Sequence, residues 1–266
     1  MLHTTSVTAH AKAAGRHAAR KQRKTSRLYK IPVLLMALLL TLLAVWYSVL
    51  AVGGRLTEEQ KIDAVLRGDH YISIDQMPDY VWQAFIAVED NRFMNHNGVD
   101  PRALGRALAA DIQAGSFAEG GSTITMQLAR NLFLTHDKTV LRKIKETAIA
   151  LHLERSYTKE EILSMYLNQI YFGHGKYGIE EAANLYFGKT VRAGDPDRET
   201  IRLEEAAMLA ALPKAPERYS PLRNPDLARE RQQLVLGLME KHGVITAEEQ
   251  MEASSRELAV NDKRQA

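Results

Sequence analysis

The chain contains no cysteine, which excludes disulfides and thiol catalysis but leaves the compartment open. Its first 30 residues contain no aspartate or glutamate, and residues 31–54 carry no charged side chain. There is no internal repeat, and no alternating apolar–polar run long enough to build a sheet. A phosphate-loop glycine is also missing. Gly188-Lys189-Thr190 ends like such a loop, but position 183 is Ala, so that motif is excluded.

What is present begins with charge. Lys12, Arg16, Arg20, Lys21, Arg23, Lys24, Arg27 and Lys30 supply eight cations before residue 31. Setting those eight aside leaves 27 Lys and Arg against 32 Asp and Glu, so the rest of the chain is mildly acidic. No nucleic-acid partner is expected, because such domains carry basic residues on the folded part itself. The tail, rich in Ala, His, Lys and Arg, is expected to be disordered.

The uncharged run of residues 31–54 is long enough to span a bilayer core, which takes about 20 apolar helical residues. Trp46 and Tyr47 near its distal end suit a membrane interface. A cleaved signal peptide is the alternative, but its apolar core is usually only about 7–15 residues. The expected division is therefore a basic cytoplasmic tail (1–30), a transmembrane anchor (31–54) and a folded domain (55–266). The positive-inside bias puts that domain on the far side of the membrane.

Beyond the span the pattern is helical. Tyr71-Ile72-Ser73-Ile74 is the one candidate strand. Pro78 suits a first helical turn, and Val81, Phe85, Ile86 and Val88 follow at helical spacing. Glu89 then falls at the C-terminal end of an apolar helix. Gln113–Glu119 has the composition of a mobile loop, closed by Gly120-Gly121, with Ser122 or Thr123 as N-cap of a helix through Leu128, Leu132 and Phe133. A helix is predicted over Val140–Arg155, with Leu141, Ile144, Ala148, Ile149 and Leu151 facing inward. Further helices are predicted over Leu163–Ile170, Glu180–Phe187 and Leu203–Leu212. Residues 227–258 read as two helices broken at His242-Gly243, a packed hairpin rather than a DNA-binding motif. The fold class is mainly α.

Moving a sugar onto a hydroxyl requires a base for that proton and a means of stabilising the departing anion. Glu89 is the candidate base. Spacing alone favours a plainer role, an ion pair with Arg92 three residues on. His96 fits a loop-orienting role around Gly98, and Asp100 before Pro101 fits a helix cap. Arg142, Lys143 and Glu146 share one helix face. Such groups are common as solvated ion pairs. The alternative sets the cations on phosphate, with Glu146 orienting them or binding a divalent metal. Ser122, Thr123, Gln127 and Arg130 add donors near a helix N-terminus. An acid/base group beside anion-binding groups, downstream of a membrane span, points to sugar transfer from a lipid-linked diphosphate.

Five ordered segments sharpen this. They are Ala87-Val88-Glu89-Asp90-Asn91-Arg92-Phe93 with His96, Gly98 and Asp100; Gly120-Gly121-Ser122-Thr123-Ile124-Thr125 with Gln127, Leu128, Arg130 and Asn131; and Arg142-Lys143-Ile144-Lys145-Glu146. The fourth runs from Lys159-Glu160-Glu161 through Tyr166-Leu167-Asn168, Gly173 and Gly178 to Tyr186-Phe187-Gly188-Lys189. The fifth joins Leu203-Glu204-Glu205-Ala206-Ala207 to Tyr219-Ser220-Pro221. Over roughly residues 70–235 the chain resembles the peptidoglycan glycosyltransferases, glycosyltransferase family 51, which also occur as one domain of class A penicillin-binding proteins. It departs from the family pattern at Met126, where a second Gln is frequent, and has Arg130 where Lys is also common.

The resemblance implies a lysozyme-like helical lobe with a smaller membrane-facing lobe around residues 97–140. It implies polymerisation of lipid II, with Glu89 and Glu146 catalytic. Ser122, Thr123, Gln127, Arg130, Lys138, Arg142, Lys143, Tyr166 and Asn168 would bind substrate, and Glu146 would hold a divalent metal (Mg2+ or Mn2+) if one is used. Location in the bacterial inner membrane follows, with lipid II, the growing strand and other cell-wall synthesis and division proteins as partners. With no Lys-Thr-Gly element and little chain after the fifth segment, a monofunctional form is expected. Two other classes stay open: a lysozyme-like glycan hydrolase, which needs no cations at 142 and 143, and an inactive scaffold, which needs no intact site.

Overall fold

Helix α1 (Pro32–Leu56) is the one helix among the described residues long and apolar enough to cross a membrane. The computed structural model describes residues 32–114, 120–135, 137 and 139–261, without the side chains of 108, 109 and 111–114. The basic tail, most of the loop before Gly120, and Lys138 lie outside the described residues. The chain divides into two compact units, Met1–Ala51 and Val52–Ala266. In the first, the apolar side chains from Val33 to Tyr47 are exposed.

The second unit is built from α2 (Glu59–Leu66), α3 (Asp79–Glu89), α4 (Pro101–Ala114), α5 (Ile124–Phe133), α6 (Val140–Ser156), α7 (Lys159–Gln169), α8 (Ile179–Phe187), α9 (Leu203–Ala211), α10 (Pro225–Lys241) and α11 (Ala247–Ser255). The expected mainly α class holds. Helices α7 and α9 form its centre. Every residue from Ile162 to Leu167 and from Glu204 to Ala211 is buried, as expected for helices enclosed on all sides. Helix α9 packs against α3 and α10, while α5 packs against α6 and α7. Capping starts these helices cleanly. Thr158 accepts from the Glu161 amide and the Glu161 side chain accepts from the Thr158 amide, a reciprocal box that satisfies two otherwise orphaned donors.

The only named strands among the described residues are β1 (Tyr171–Gly173) and β2 (Lys176–Tyr177), an antiparallel pair. This hairpin was hidden in the sequence by its shortness. Gly178 then opens α8 at φ +86°, with a would-be Cβ 3.0 Å from the Asn168 carbonyl oxygen, so only glycine fits there.

Two sequence expectations are corrected. Tyr71–Ile74 forms no strand; a 3-10 turn runs over Ile74–Gln76 instead. The Asn168 amide replaces the missing strand partner, accepting from the Ile72 amide at 3.1 Å and donating to the Ile72 carbonyl at 2.8 Å. A side-chain amide thus satisfies the backbone as a neighbouring strand would. On α6, Leu141 and Ile144 point outward, 61% and 57% exposed, while Glu146 is buried. The inward stripe is Glu146, Ile149, Ala150 and Leu153, so the apolar residues of the first turns lie on the other side of the helix.

Candidate active site

Glu89 is placed by the core. Val81, Ala84 and Phe85 bury α3, and Phe85 meets Phe172 edge-on with ring centroids 6.0 Å apart. The helix ends at Glu89, whose carboxylate accepts from Gln127 Nε2 at 2.9 Å. Gln127 is held in turn by the Tyr166 hydroxyl, which donates to its Oε1 at 3.3 Å. Tyr166 is wholly buried, and burial followed by the nearby Glu89 charge pushes its phenol well above the ordinary value. It therefore remains a proton donor, and its bond to Oε1 turns the Gln127 NH2 toward Glu89. The plain pairing of Glu89 with Arg92 is not made. Arg92 Nε lies 3.3 Å from Asp100 Oδ2 instead.

The residues around Glu89 fasten its loop. Buried Asp90 accepts from the Ile124 amide at 3.1 Å and lies 2.9 Å from His96 Nε2. Burial raises the Asp100 pKa, but hydrogen bonds from the Arg102 and Ala103 amides, then Arg92 and His96, outweigh it and hold the carboxyl below its usual range. Thr123 Oγ1 donates to the Gly98 carbonyl at 2.7 Å and accepts from the Met126 amide at 3.1 Å. That hydroxyl caps α5 and is buried, and Thr123 lines the same cleft as Glu89 and Ser122.

The cationic group sits at the start of α6, where Thr139 caps the Arg142 amide. Buried Glu146 is paired with both Arg142 and Lys143, the latter at 3.1 Å. Lys143 Nζ also donates to Ser122 Oγ at 2.5 Å, which links α6 to the loop before α5. Burial, then the charges of Arg130 and Arg142, lower the Lys143 pKa to about 8. A carboxylate at the root of two cations fixes their positions while their outer faces stay available to an anion.

A cleft of about 550 Å³ is lined by Glu89, Asp90, Asp100, Arg106 and Ser122. Lys241 and His242 at the end of α10 line it too. These two were absent from the sequence-derived site, where His242-Gly243 read only as a helix break. Asn168 is not brought to the site; it is committed to Ile72 and Ser164. Tyr166 acts behind Gln127. The donor set around Glu146 does not match a divalent metal site. Both its pairs are with cations, and no cluster of three or more His, Cys, Asp or Glu groups with metal-ligand geometry occurs among the described residues. The Ser-x-x-Lys quartet Ser156-Tyr157-Thr158-Lys159 is a helix junction, with Lys159 Nζ bonded to Glu154 at 2.8 Å and lying 4.2 Å from the Phe93 ring centre.

A carboxylate oriented by an amide thus shares a mainly α domain with a fixed lysine–arginine pair. The particular class follows from comparison with known proteins. The family model described as "Transglycosylase" matches residues 58–240, and this chain belongs to that family. Over 195 residues it is 51% identical to penicillin-binding protein 1F of Bacillus subtilis, covering 73% of this chain and 26% of that protein. It is 49% identical over 190 residues to penicillin-binding protein 1A of Aquifex aeolicus, covering 71% and 25%. The crystal structure of penicillin-binding protein 1A from Haemophilus influenzae aligns with a TM-score of 0.41 at 22% identity, over 71% of this chain and 18% of that one. The chain thus spans about a quarter of the length of the curated relatives it matches.

Proposed function

We propose that this chain is a membrane-anchored peptidoglycan glycosyltransferase that polymerises lipid II into linear glycan strands. The acceptor's 4-hydroxyl gives its proton to Glu89, and the resulting oxygen attacks the anomeric carbon of the growing, undecaprenyl-diphosphate-linked chain. The bond from that carbon to the diphosphate breaks with inversion, and the electron pair leaves on undecaprenyl diphosphate. Arg142 and Lys143 take up the charge on the leaving group, held in place by Glu146, while Ser122 keeps Lys143 at the cleft and Arg130 adds positive field. Lys138 is assigned the same diphosphate-facing role on sequence alone.

The observation that carries this reading is that Glu89 is oriented by Gln127 within a cleft that also contains Ser122, the hydroxyl bonded to Lys143. Base and anion-stabilising cation are thereby linked to one cavity. A hydrolase that cleaves a neutral glycan has no diphosphate to stabilise, and the buried Glu146 support for two cations would serve nothing there. With α1 as anchor, the charge bias of the tail places the N-terminus in the cytoplasm and the Val52–Ala266 unit outside the inner membrane.

The test is incubation of the purified chain with labelled lipid II in detergent, beside Glu89→Gln. Polymer from the wild type and none from the variant is expected. Polymer from both removes Glu89 from its role, and polymer from neither, with folded protein, removes the function.

A further inference from the structure

The matched family segment stops at residue 240, and the next two residues, Lys241 and His242, line the same cleft as Glu89. Lys241 ends α10, and Leu238, one turn earlier on the same face, lines the cleft with it. Asn91 Nδ2, two residues beyond Glu89, donates to His242 Nε2 at 3.3 Å. That bond fastens the end of α10 to the loop that carries the base. A lysine in a final helical turn ordinarily serves the helix dipole. The dipole does not require that the lysine line a cleft, or that its neighbour bond to the catalytic loop.

Asp90 faces His96 and Asp100 faces Arg92, while Glu89 is held by a neutral amide. Asp90 and Asp100 are therefore already paired and Glu89 is kept for the proton, while Lys241, like Arg106 across the lining, makes none of the ion pairs among the described residues. Resting on the function proposed above, the leaving diphosphate belongs to Arg142 and Lys143 on α6. The acceptor must bring its hydroxyl to Glu89 from elsewhere in the cleft, and it is itself anionic.

We infer that the C-terminal end of α10 is a subsite for an anionic group of the acceptor, with Lys241 binding that group and His242 positioning Lys241 through Asn91. The anion has two sources within one lipid II molecule, its diphosphate and the carboxylates of its stem peptide. Lys241 and His242 are exposed, so the contact is partly screened by solvent and contributes to affinity more than to the chemical step.

The experiment is steady-state polymerisation by the full chain and by Lys241→Ala, Lys241→Arg, His242→Ala and His242→Gln, at low and high salt. Lys241→Ala is expected to raise KM for lipid II roughly three- to tenfold with kcat kept, the pattern of lost ground-state binding. Lys241→Arg restores KM, and His242→Gln, which keeps an acceptor for the Asn91 amide, stays closer to wild type than His242→Ala. The KM of Lys241→Ala also loses part of its salt dependence. Lipid II with amidated stem carboxylates separates the sources: if its KM no longer differs between wild type and Lys241→Ala, the peptide is bound, and if the difference persists, the diphosphate is. A KM within twofold of wild type for Lys241→Ala, or a fall in kcat alone, overturns the subsite while leaving the proposed function intact. A wild type that makes no polymer overturns the function first.

Discussion

Glu89 is one carboxylate among 32 acidic residues, and what sets it apart is its partner. An ion pair with Arg92 would have tied its charge to a cation. The bond from Gln127 aims one oxygen and leaves the group open to take a proton. Gln127→Ala is expected to lower kcat about tenfold, close to 1.4 kcal/mol in the barrier, with KM little changed, as steady-state kinetics on lipid II would show. Lys143 gives a pH-dependent prediction. Its pKa is lowered to about 8, so the cation is present below that pH and is lost as pH rises through it. The alkaline limb of kcat/KM should fall near pH 8, and Lys143→Arg, which stays charged, should move that limb upward. A limb unmoved in Lys143→Arg would assign the titration to another group.

At the scale of elements, α6 shows how one helix serves two surroundings. Its inward stripe contains a glutamate, and its outward first turns expose Val140, Leu141 and Ile144. The buried Glu146 is stabilised by the two cations beside it, without which its desolvation would cost several kcal/mol. The exposed trio costs no packing if removed. Leu141→Ser with Ile144→Ser is therefore expected to leave the melting temperature unchanged and to weaken liposome binding of the Val52–Ala266 unit severalfold, since such patches mark interaction surfaces. Unchanged sedimentation with liposomes would show that this face is merely solvated. The hairpin β1–β2 and the end of α10 make a related point. Each is a few residues long, yet one fixes the start of α8 and the other closes the cleft wall.

For the whole molecule, the function proposed above assigns location to α1 and chemistry to the compact unit. A fragment beginning at Val52 keeps the full compact unit. It is expected to polymerise lipid II in detergent at a rate near that of the full chain and to fall well behind on liposome-borne substrate, because it must find the membrane from solution. Equal rates on liposomes would show that α1 contributes nothing beyond targeting. The family model covers residues 58–240, and the matched stretches span about a quarter of the longer relatives.

The sequence by itself determined the mainly α class, the long apolar helix, the family segments and the identity of Glu89, Gln127, Lys143 and Glu146 as candidates. Those features rest on local periodicity, uncharged length and residue order, all of which survive in one dimension. Only the tertiary structure decided their partners. It gave Arg92 to Asp100 and Gln127 to Glu89, spent Thr123 on a cap and Asn168 on the Ile72 backbone, and turned Leu141 and Ile144 outward. It also brought Lys241 and His242 into the cleft from about 150 residues downstream of Glu89. Spacing along a helix fixes which side chains share a face, but burial and hydrogen-bond completion fix which face turns inward and which polar groups remain free, and both depend on the rest of the fold.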